Sequence, residues 1–358
     1  MPIIYPPVVL AHIVKNMEDY FAPKLQKRNS AEIHFSAQLN SYPHLGTLTS
    51  LSTAFAVGEY IFKTFKKPVL IKFEALDNAP TDKIKIGDKE YCKMHCHSLK
   101  NNIKKSEIYM DSFLEIFDYF SKETEVNYAI EYYSEFQKNP FVRKKLLEII
   151  NREDEFLPFI SPSEKRLRIR FPCPKCDLME KTAFNSKITK RNSIYNLTYS
   201  SSCPKHGKYN VRITPTNGSL VDFNTPLRNV IKEAKFIEEA KKRNCANIMV
   251  DGGDWTFMAF QIIPSLGLMN YKIEDLPLRV FSPIIEDWSG AKFSKSIYVK
   301  EGTYSGIQEE FLNYTKFQKT FGKFGMGVIL NESRDWMNDP KKLLRNYSVE
   351  YFRKVFNT

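Results

Sequence analysis

The clearest chemical signal in the sequence is a pair of short, nearly identical cysteine motifs. One is Cys-Pro-Lys-Cys at 173–176, the other is Cys-Pro-Lys-His at 203–206, and 26 residues separate them. Three thiolates and one imidazole form the closed tetrahedral donor set of a structural Zn²⁺ site. The alternative is a group of unliganded core cysteines. We predict that the zinc ligands are Cys173, Cys176, Cys203 and His206.

A second motif has the residue types of a phosphate-binding turn. Pro43-His44-Leu45-Gly46-Thr47 stands between a strand-like segment and a helix-like segment. The first amides of a helix and its dipole attract phosphate, and an imidazole there can donate to a phosphate oxygen. The glycine lets a ligand approach the backbone closely. Taken alone the motif is weak, because a helix cap with an incidental histidine has the same sequence.

A third motif, Lys292-Phe293-Ser294-Lys295-Ser296, follows the last apolar strand of the sheet pattern. Its two lysines give mobile ammonium groups that can hold a triphosphate, and nucleotidyl transfer depends mostly on positioning and charge. A solvated basic loop would have the same composition. Gly252, Gly253 and Asp254 directly follow another strand, where a glycine-rich turn can accept a nucleotide.

The segments that carry these motifs alternate as in an α/β protein. A strand over 32–37, a helix over 48–65 and a strand over 68–73 form a βαβ unit, which requires a parallel sheet. The alternation resumes after residue 225 and continues to 285. Its later members are a helix over 225–243, a strand over 247–250, a helix over 256–264 and a strand over 278–285.

The intervening residues are charged and largely helical in pattern, and are followed by the cysteine motifs. We therefore predict an α/β fold with a split Rossmann-like (HUP-type) parallel sheet, an inserted helical segment, a zinc ribbon and a short α-helical C-terminal appendage. The predicted boundaries are 1–81 for the first half of the sheet domain, 82–165 for the helical insertion, 166–215 for the zinc ribbon, 216–300 for the second half and 301–358 for the appendage.

The composition favours a polyanionic partner. Lys and Arg number 53 against 41 Asp and Glu, a formal net charge of +12. RNA is the simplest such partner, although a generally lysine-rich composition is the alternative. No apolar run is long enough to cross a bilayer, and no signal peptide begins the sequence. We expect a cytoplasmic protein without a membrane partner, whose six cysteines are free or bind metal.

Taken together, the motifs resemble the signatures of one enzyme class. The segments Pro43–Thr47 and Lys292–Ser296 resemble the HIGH and KMSKS motifs of class I aminoacyl-tRNA synthetases, and Gly252–Asp254 resembles their adenosine-supporting loop. A zinc ribbon between the two half-sheets is similar to the class I, archaeal-type lysyl-tRNA synthetases. The stretches 73–77 and 221–223 and residue Arg228 agree, so the resemblance covers about residues 30–300.

This resemblance implies ATP-dependent activation of an amino acid to an aminoacyl-adenylate, with Mg²⁺, a structural Zn²⁺ and lysine as the first substrate to consider. His44 and Thr47 would contact the ATP phosphates, and Lys292 and Lys295 would stabilise the transition state. The remaining implied ATP-binding residues are Pro43, Gly46, Gly252, Gly253, Asp254, Ser294 and Ser296. The candidate amino-acid-binding residues are Ser36, Glu74 and Asp77, and the acidic residue that would pair with the substrate ammonium is not identified by the sequence.

The sequence also departs from the family. Thr47 stands where the family usually has Asn or His, and Trp255 stands where a His is common. Only 62 residues follow Ser296, so we expect no full anticodon-binding domain.

Three alternatives for the function remain open. They are transfer to a tRNA or an RNA acceptor arm, transfer to another acceptor by a standalone ligase, and a degenerate RNA-binding regulator. A second metal site on a helical face with Cys92, Cys96 and His95 is a further hypothesis. Incidental spacing is the alternative there.

Overall fold

The computed structural model describes residues 14–293 and 306–356. Helices and strands alternate over residues 17–76 and again over residues 225–282. The helices are α1 (Met17–Leu25), α2 (Leu45–Phe65), α3 (Lys105–Thr124), α4 (Tyr133–Phe136), α5 (Pro140–Asn151), α6 (Glu153–Ile160), α7 (Thr225–Arg243), α8 (Ala259–Leu268), α9 (Glu309–Leu312), α10 (Tyr314–Asn338), α11 (Pro340–Leu343) and α12 (Val349–Phe356). Short 3₁₀ turns lie at His95–His97, Gly253–Met258 and Ile273–Asp275.

The longer strands build the central sheet and the ribbon, and the two-residue strands form local ladders. The strands are β1 (Ser30–Gln38), β2 (Val69–Leu76), β3 (Pro80–Ile86), β4 (Lys89–Met94), β5 (Leu99–Lys100), β6 (Ile103–Lys104), β7 (Asn127–Tyr132), β8 (Ile169–Arg170), β9 (Met179–Glu180), β10 (Lys187–Ser193), β11 (Asn196–Cys203), β12 (Gly207–Ile213), β13 (Asp222–Phe223), β14 (Cys245–Gly252), β15 (Leu278–Ser282), β16 (Ile285–Glu286) and β17 (Tyr347–Ser348).

The centre of the molecule is a five-stranded sheet in the order β15-β14-β1-β2-β7, and every neighbouring pair is parallel. This confirms the predicted Rossmann-like α/β class. Strand β1 is buried along most of its length, as expected for a strand covered on both faces. Its carboxyl end and that of β14 lie side by side, because the two strands pair from Ser30↔Cys245 to His34↔Met249.

The helices α2 and α7 cover opposite faces of this sheet. Ile33 and Phe35 of β1 belong to the apolar core that includes α2, whereas α7 contributes to a separate core. His34, between them, stacks on Phe236 of α7 with ring centroids 3.6 Å apart. The alternation follows from the strand period of two, which sends successive side chains to opposite faces. The edge at which β1 ends is therefore flanked by the start of α2 on one face and the start of α7 on the other.

One strand of the central sheet lies inside the range assigned to a helical insertion. Strand β7 pairs in parallel with β2 from Leu70↔Asn127 to Ala75↔Tyr132, and α3 makes the crossover between them. The hairpin β3–β4 also falls in this range. The sequence pattern missed β7 because it is a half-exposed edge strand with polar residues, and such a strand shows little apolar periodicity.

The ribbon is a three-stranded antiparallel sheet, β10-β11-β12, and Cys203 lies at the end of its second strand. The C-terminal helices pack against α2, where Arg334 of α10 donates to both carboxylate oxygens of the buried Glu59 at 2.7 and 2.9 Å. Helix α10 is kinked at Gly322, whose φ is +52°. Within the described residues, no helix is long and apolar enough to cross a membrane.

Candidate active site

A cleft of about 310 Å³ opens at the carboxyl edge of the central sheet. It is lined by the end of β1 and the turn that follows, the first turns of α2 and α7, the end of β14, and the segment around Lys292. Helix starts and strand ends meet here because every strand of the sheet runs in the same direction. This is the edge at which open α/β sheets bind ligands.

The turn before α2 supplies one end of the cleft. His44 has extended backbone and caps the helix, and its Nδ1 accepts a hydrogen bond from the Gly46 amide at 3.1 Å. A neutral ring in this arrangement carries its proton on Nε2, where it can donate to an anion. A Cβ at position 46 would lie 3.0 Å from His44 Cε1, so glycine keeps this turn tight. Pro43 and Thr47 also line the cleft.

The end of β14 forms the adjacent wall. A Cβ on Gly252 would lie 2.7 Å from Asp254 Oδ1, and one on Gly253 would lie 3.2 Å from the Ser282 carbonyl oxygen. A side chain at position 252 would displace the Asp254 carboxylate, and one at position 253 would be crowded by Ile284 and the Ser282 carbonyl. Lys292 donates to Asp254 Oδ2 at 2.5 Å across this wall. The structure thus brings together two residues that the sequence placed in separate motifs. Ser294, Lys295 and Ser296 lie outside the described residues, and their roles stay predictions.

The start of α7 forms the opposite end of the cleft. Lys232 is buried and donates to Ser36 Oγ at 2.6 Å, while Ser36 donates to Glu74 Oε2 at 2.7 Å. Lys232 Nζ also lies 3.6 Å from Glu74 Oε2. Burial would raise the pKa of the Glu74 carboxyl, but the Lys232 charge and a hydrogen bond with His34 lower it below its ordinary value. Glu74 is therefore an internal carboxylate that neutralises Lys232.

Of the three candidate amino-acid-binding residues, only Ser36 lines the cleft. Glu74 and Asp77 are buried and have internal partners. Asp77 accepts hydrogen bonds from the Ser134 amide at 3.0 Å and from Ser134 Oγ at 2.6 Å. These contacts fix the connection between β7 and α4, so Asp77 supports the fold at this point.

Three charged residues that the sequence did not assign to the site line the cleft, namely Arg228, Lys232 and Asp251. Arg228 and Lys232 are four residues apart on α7, so they lie on one face of the helix. A pair of cations on the buried face of a helix that also carries Leu227 and Ile231 is the signal that could have identified them. Burial raises the pKa of the Asp251 carboxyl above its ordinary value.

The four predicted metal ligands lie together at the tip of the ribbon. The Cys176 and Cys203 sulfurs are 3.6 Å apart, and His206 Nδ1 is 3.5 Å from Cys173 Sγ and 3.6 Å from Cys203 Sγ. A tetrahedral zinc with sulfur ligands at about 2.3 Å requires edges of roughly 3.8 Å. All four donor atoms lie within 4.8 Å of one another. The donor set and its spacing fit Zn²⁺.

Cys92, Cys96 and His95, the second predicted metal site, do not form such a cluster. Within the described residues, the cluster at the ribbon is the one group of three or more metal-ligating side chains close enough to share an ion. Cys92 lies on β4 and Cys96 in the following 3₁₀ turn, so the expected common helical face does not form. Both thiols are buried against Met94 and Met179, and burial raises the pKa of Cys96 to about 12. Cysteines in such an environment stay protonated and inert.

Two solved structures align with much of this chain at low similarity. A protein from Campylobacter jejuni described as an arginyl-tRNA synthetase aligns with 90% of this chain and 68% of its own, at a TM-score of 0.40 and 7% identity. A glutamate tRNA ligase from Elizabethkingia meningosepticum, in complex with its amino acid, aligns with 78% of this chain and 53% of its own, at 0.32 and 11%. No protein-family model matches the chain, and no curated protein matches it in sequence. At this level of similarity, the two structures do not indicate the function of this chain. The function is therefore inferred from the residues of the cleft.

Proposed function

We propose that the chain activates an amino acid with ATP. A carboxylate oxygen of the amino acid attacks the α-phosphorus of ATP, a new O–P bond forms, and the bond to the β-phosphate oxygen breaks. The products are an aminoacyl-adenylate and pyrophosphate, so atoms and charge balance without a redox partner. The nucleophile is already ionised at neutral pH, and no general base is needed.

In this proposal the residues act by positioning and by charge. His44 donates from Nε2 to a phosphate oxygen, and the first amides of α2 face the same group. Lys292 leaves Asp254 to bind phosphate when the nucleotide enters, as an ammonium group on a flexible stem can do. Lys295 would add a second ammonium. Magnesium bound to the phosphates would offset their charge. Gly252 and Gly253 leave room for the nucleoside.

The observation that carries the proposal is the convergence of two distant motifs on one cleft. His44 caps α2, Gly46 and Thr47 lie in its first turn, and Lys292 comes from a segment almost 250 residues later. They line the same cavity of about 310 Å³, together with the glycine pair after β14. A helix cap or a solvated loop would have no reason to meet in this way.

The test is exchange of labelled pyrophosphate into ATP with each of the common amino acids, beginning with lysine, which the resemblance supports. We expect exchange with a narrow set of amino acids. Lys292→Ala should lower the rate about 10²-fold, the usual cost of removing one preorganised donor. Lys341→Ala, an exposed lysine on α11, is the matched control and should keep the full rate. No exchange with any amino acid would refute the proposal.

We further propose that RNA accepts the activated amino acid. The ribbon range 166–215 holds eleven Lys and Arg residues against two acidic ones, so it carries much of the net charge of +12. Three of these cations are exposed on β10, namely Lys187, Lys190 and Arg191. Together with Arg166 they line a groove next to this strand. Exposed cations on a groove are suited to RNA phosphates.

The acceptor is tested by comparing whole tRNA with an acceptor-arm minihelix in a charging assay. Charging of either one supports an RNA acceptor. Robust pyrophosphate exchange without charging of any RNA would assign the chain to the standalone-ligase alternative. RNA binding without exchange would assign it to the degenerate, regulatory one.

A further inference from the structure

The start of α7 holds a buried guanidinium that forms no ion pair with the described residues, although Asp222 and Glu74 act on it at longer range. Arg228 is 6% exposed and lines the cleft. Its Nη2 donates weakly to Thr225 Oγ1 at 3.4 Å, and its Nε has no hydrogen-bond partner. The guanidinium carbon lies 5.9 Å from the centre of the Tyr133 ring. No carboxylate in the described part of the chain forms an ion pair with it. A buried, unpaired cation is costly unless a ligand supplies the missing anion.

The neighbouring cation, Lys232, does form an ion pair. Lys232 is held by Glu74 and Ser36, so that pair is neutral overall. Asp251 lines the same cleft, and the charges of Lys232 and Arg279 act on its carboxyl group without a direct ion pair in the described part of the chain. Two groups that line this end of the cleft therefore form no ion pair within the described residues, the Arg228 guanidinium and the Asp251 carboxyl group.

The backbone at this end also favours an anion. Asn224 precedes α7, and its side chain makes no hydrogen bond that caps the first amides of the helix. Thr225, in the first turn, lines the cleft together with Arg228. The amides and the dipole at the start of α7 thus add to the positive potential of the guanidinium.

We infer that the amino acid activated in this cleft has an acidic side chain, whose carboxylate binds Arg228 while its ammonium binds Asp251. This inference rests on the proposed function. The α-carboxylate loses its charge when it bonds to the α-phosphorus, so it cannot remain the anionic partner of Arg228. Glutamate or aspartate supplies the further carboxylate. Lysine has two ammonium groups. Asp251 can pair with one of them, and the other would meet the cationic guanidinium of Arg228.

The experiment measures pyrophosphate exchange and, separately, equilibrium binding without ATP for glutamate, aspartate, their amides and lysine. For the better acid, we expect kcat/KM at least about 10²-fold above that of its amide, since a buried charged site rejects an uncharged analogue strongly. Arg228→Gln should reduce this acid-to-amide ratio by about 10²-fold, and Arg228→Lys by less. Arg353→Gln, an exposed arginine on α12, is the matched control and should keep the ratio.

The outcomes separate the inference from the proposed function. Exchange with lysine and not with either acid overturns the inference and leaves the proposed function intact. Binding of an acid that depends on Arg228, without any exchange, supports the inference and refutes the proposed function. An unchanged acid-to-amide ratio in a folded Arg228→Gln variant overturns the inference. If that variant fails to fold, the wild-type preference among acid, amide and lysine still decides, and no preference for the acid overturns it.

Discussion

Substitution of Cys173 by serine should weaken zinc binding at the ribbon. Cys173 and Cys203 are 1% and 3% exposed and belong to a small apolar cluster with Tyr91 and Leu178. The ribbon strands are anchored in a larger core through Leu197, Tyr199 and Ile213, whereas the ligand loops have only the small cluster. The metal therefore supplies much of the stability of those loops. Cys173→Ser replaces one of four donors by a hydroxyl, a far poorer zinc ligand than a thiolate.

The magnitude follows from the four-ligand geometry. A structural zinc site contributes about 10–16 kcal/mol, so one ligand of four is worth roughly 2.5–4 kcal/mol if the donors share it evenly. At about 1.4 kcal/mol for each factor of ten, the zinc affinity should fall by about 10²- to 10³-fold. The ribbon should then open locally while the central sheet, which has its own core, stays folded.

The assay combines elemental analysis, competition with a chromophoric zinc chelator and limited proteolysis. The wild-type protein should hold one zinc per chain, and the variant should lose it to a chelator that the wild type resists. New cleavage sites should lie within 166–215. Cys92→Ser is the matched control, because this cysteine is also buried but lies outside the cluster. Wild-type protein without zinc, or equal affinity in Cys173→Ser, would refute the reasoning. Two zincs per chain would revive the site at Cys92.

Three further predictions concern catalysis, RNA binding and stability. Lys295→Ala should lower pyrophosphate exchange about 10²-fold; an unchanged rate would remove this residue from the mechanism. Replacing the β10 cations at 187, 190 and 191 by serine should weaken binding of an RNA minihelix and lower the slope of log K against log salt by about 2–3; an equal slope would place the RNA elsewhere. Burial would raise the pKa of Glu59, but hydrogen bonds from Arg334 and Lys63 lower it below its ordinary value. The stability it contributes is therefore present above about pH 4.5 and lost as pH falls through the lowered value. Arg334→Met should cost about 1–2 kcal/mol near pH 7 and less as the pH falls through the lowered pKa of Glu59, as measured by urea unfolding.

The amino-acid sequence by itself determined the features that rest on local order. The zinc motif is visible because its four ligands form two short knuckles, and the structure brings the donor atoms within 4.8 Å. The first βαβ unit is visible because β1 and β2 are buried and α2 has an apolar face. Pro43–Thr47 and Gly252–Asp254 are visible because a strand end followed by a glycine-containing turn has a recognisable pattern.

Only the tertiary structure decided which charged groups face the cleft and which are neutralised inside the protein. Glu74 and Asp77 look like substrate-binding acids in the sequence, yet each has partners from elements distant along the chain, Lys232 and Ser134. Arg228 looks like one more cation of a helix, yet its position leaves it buried and unpaired at the edge of the sheet. The physical reason is that the free energy of a charge depends on burial and on nearby opposite charges, and both are set by contacts between residues far apart in sequence.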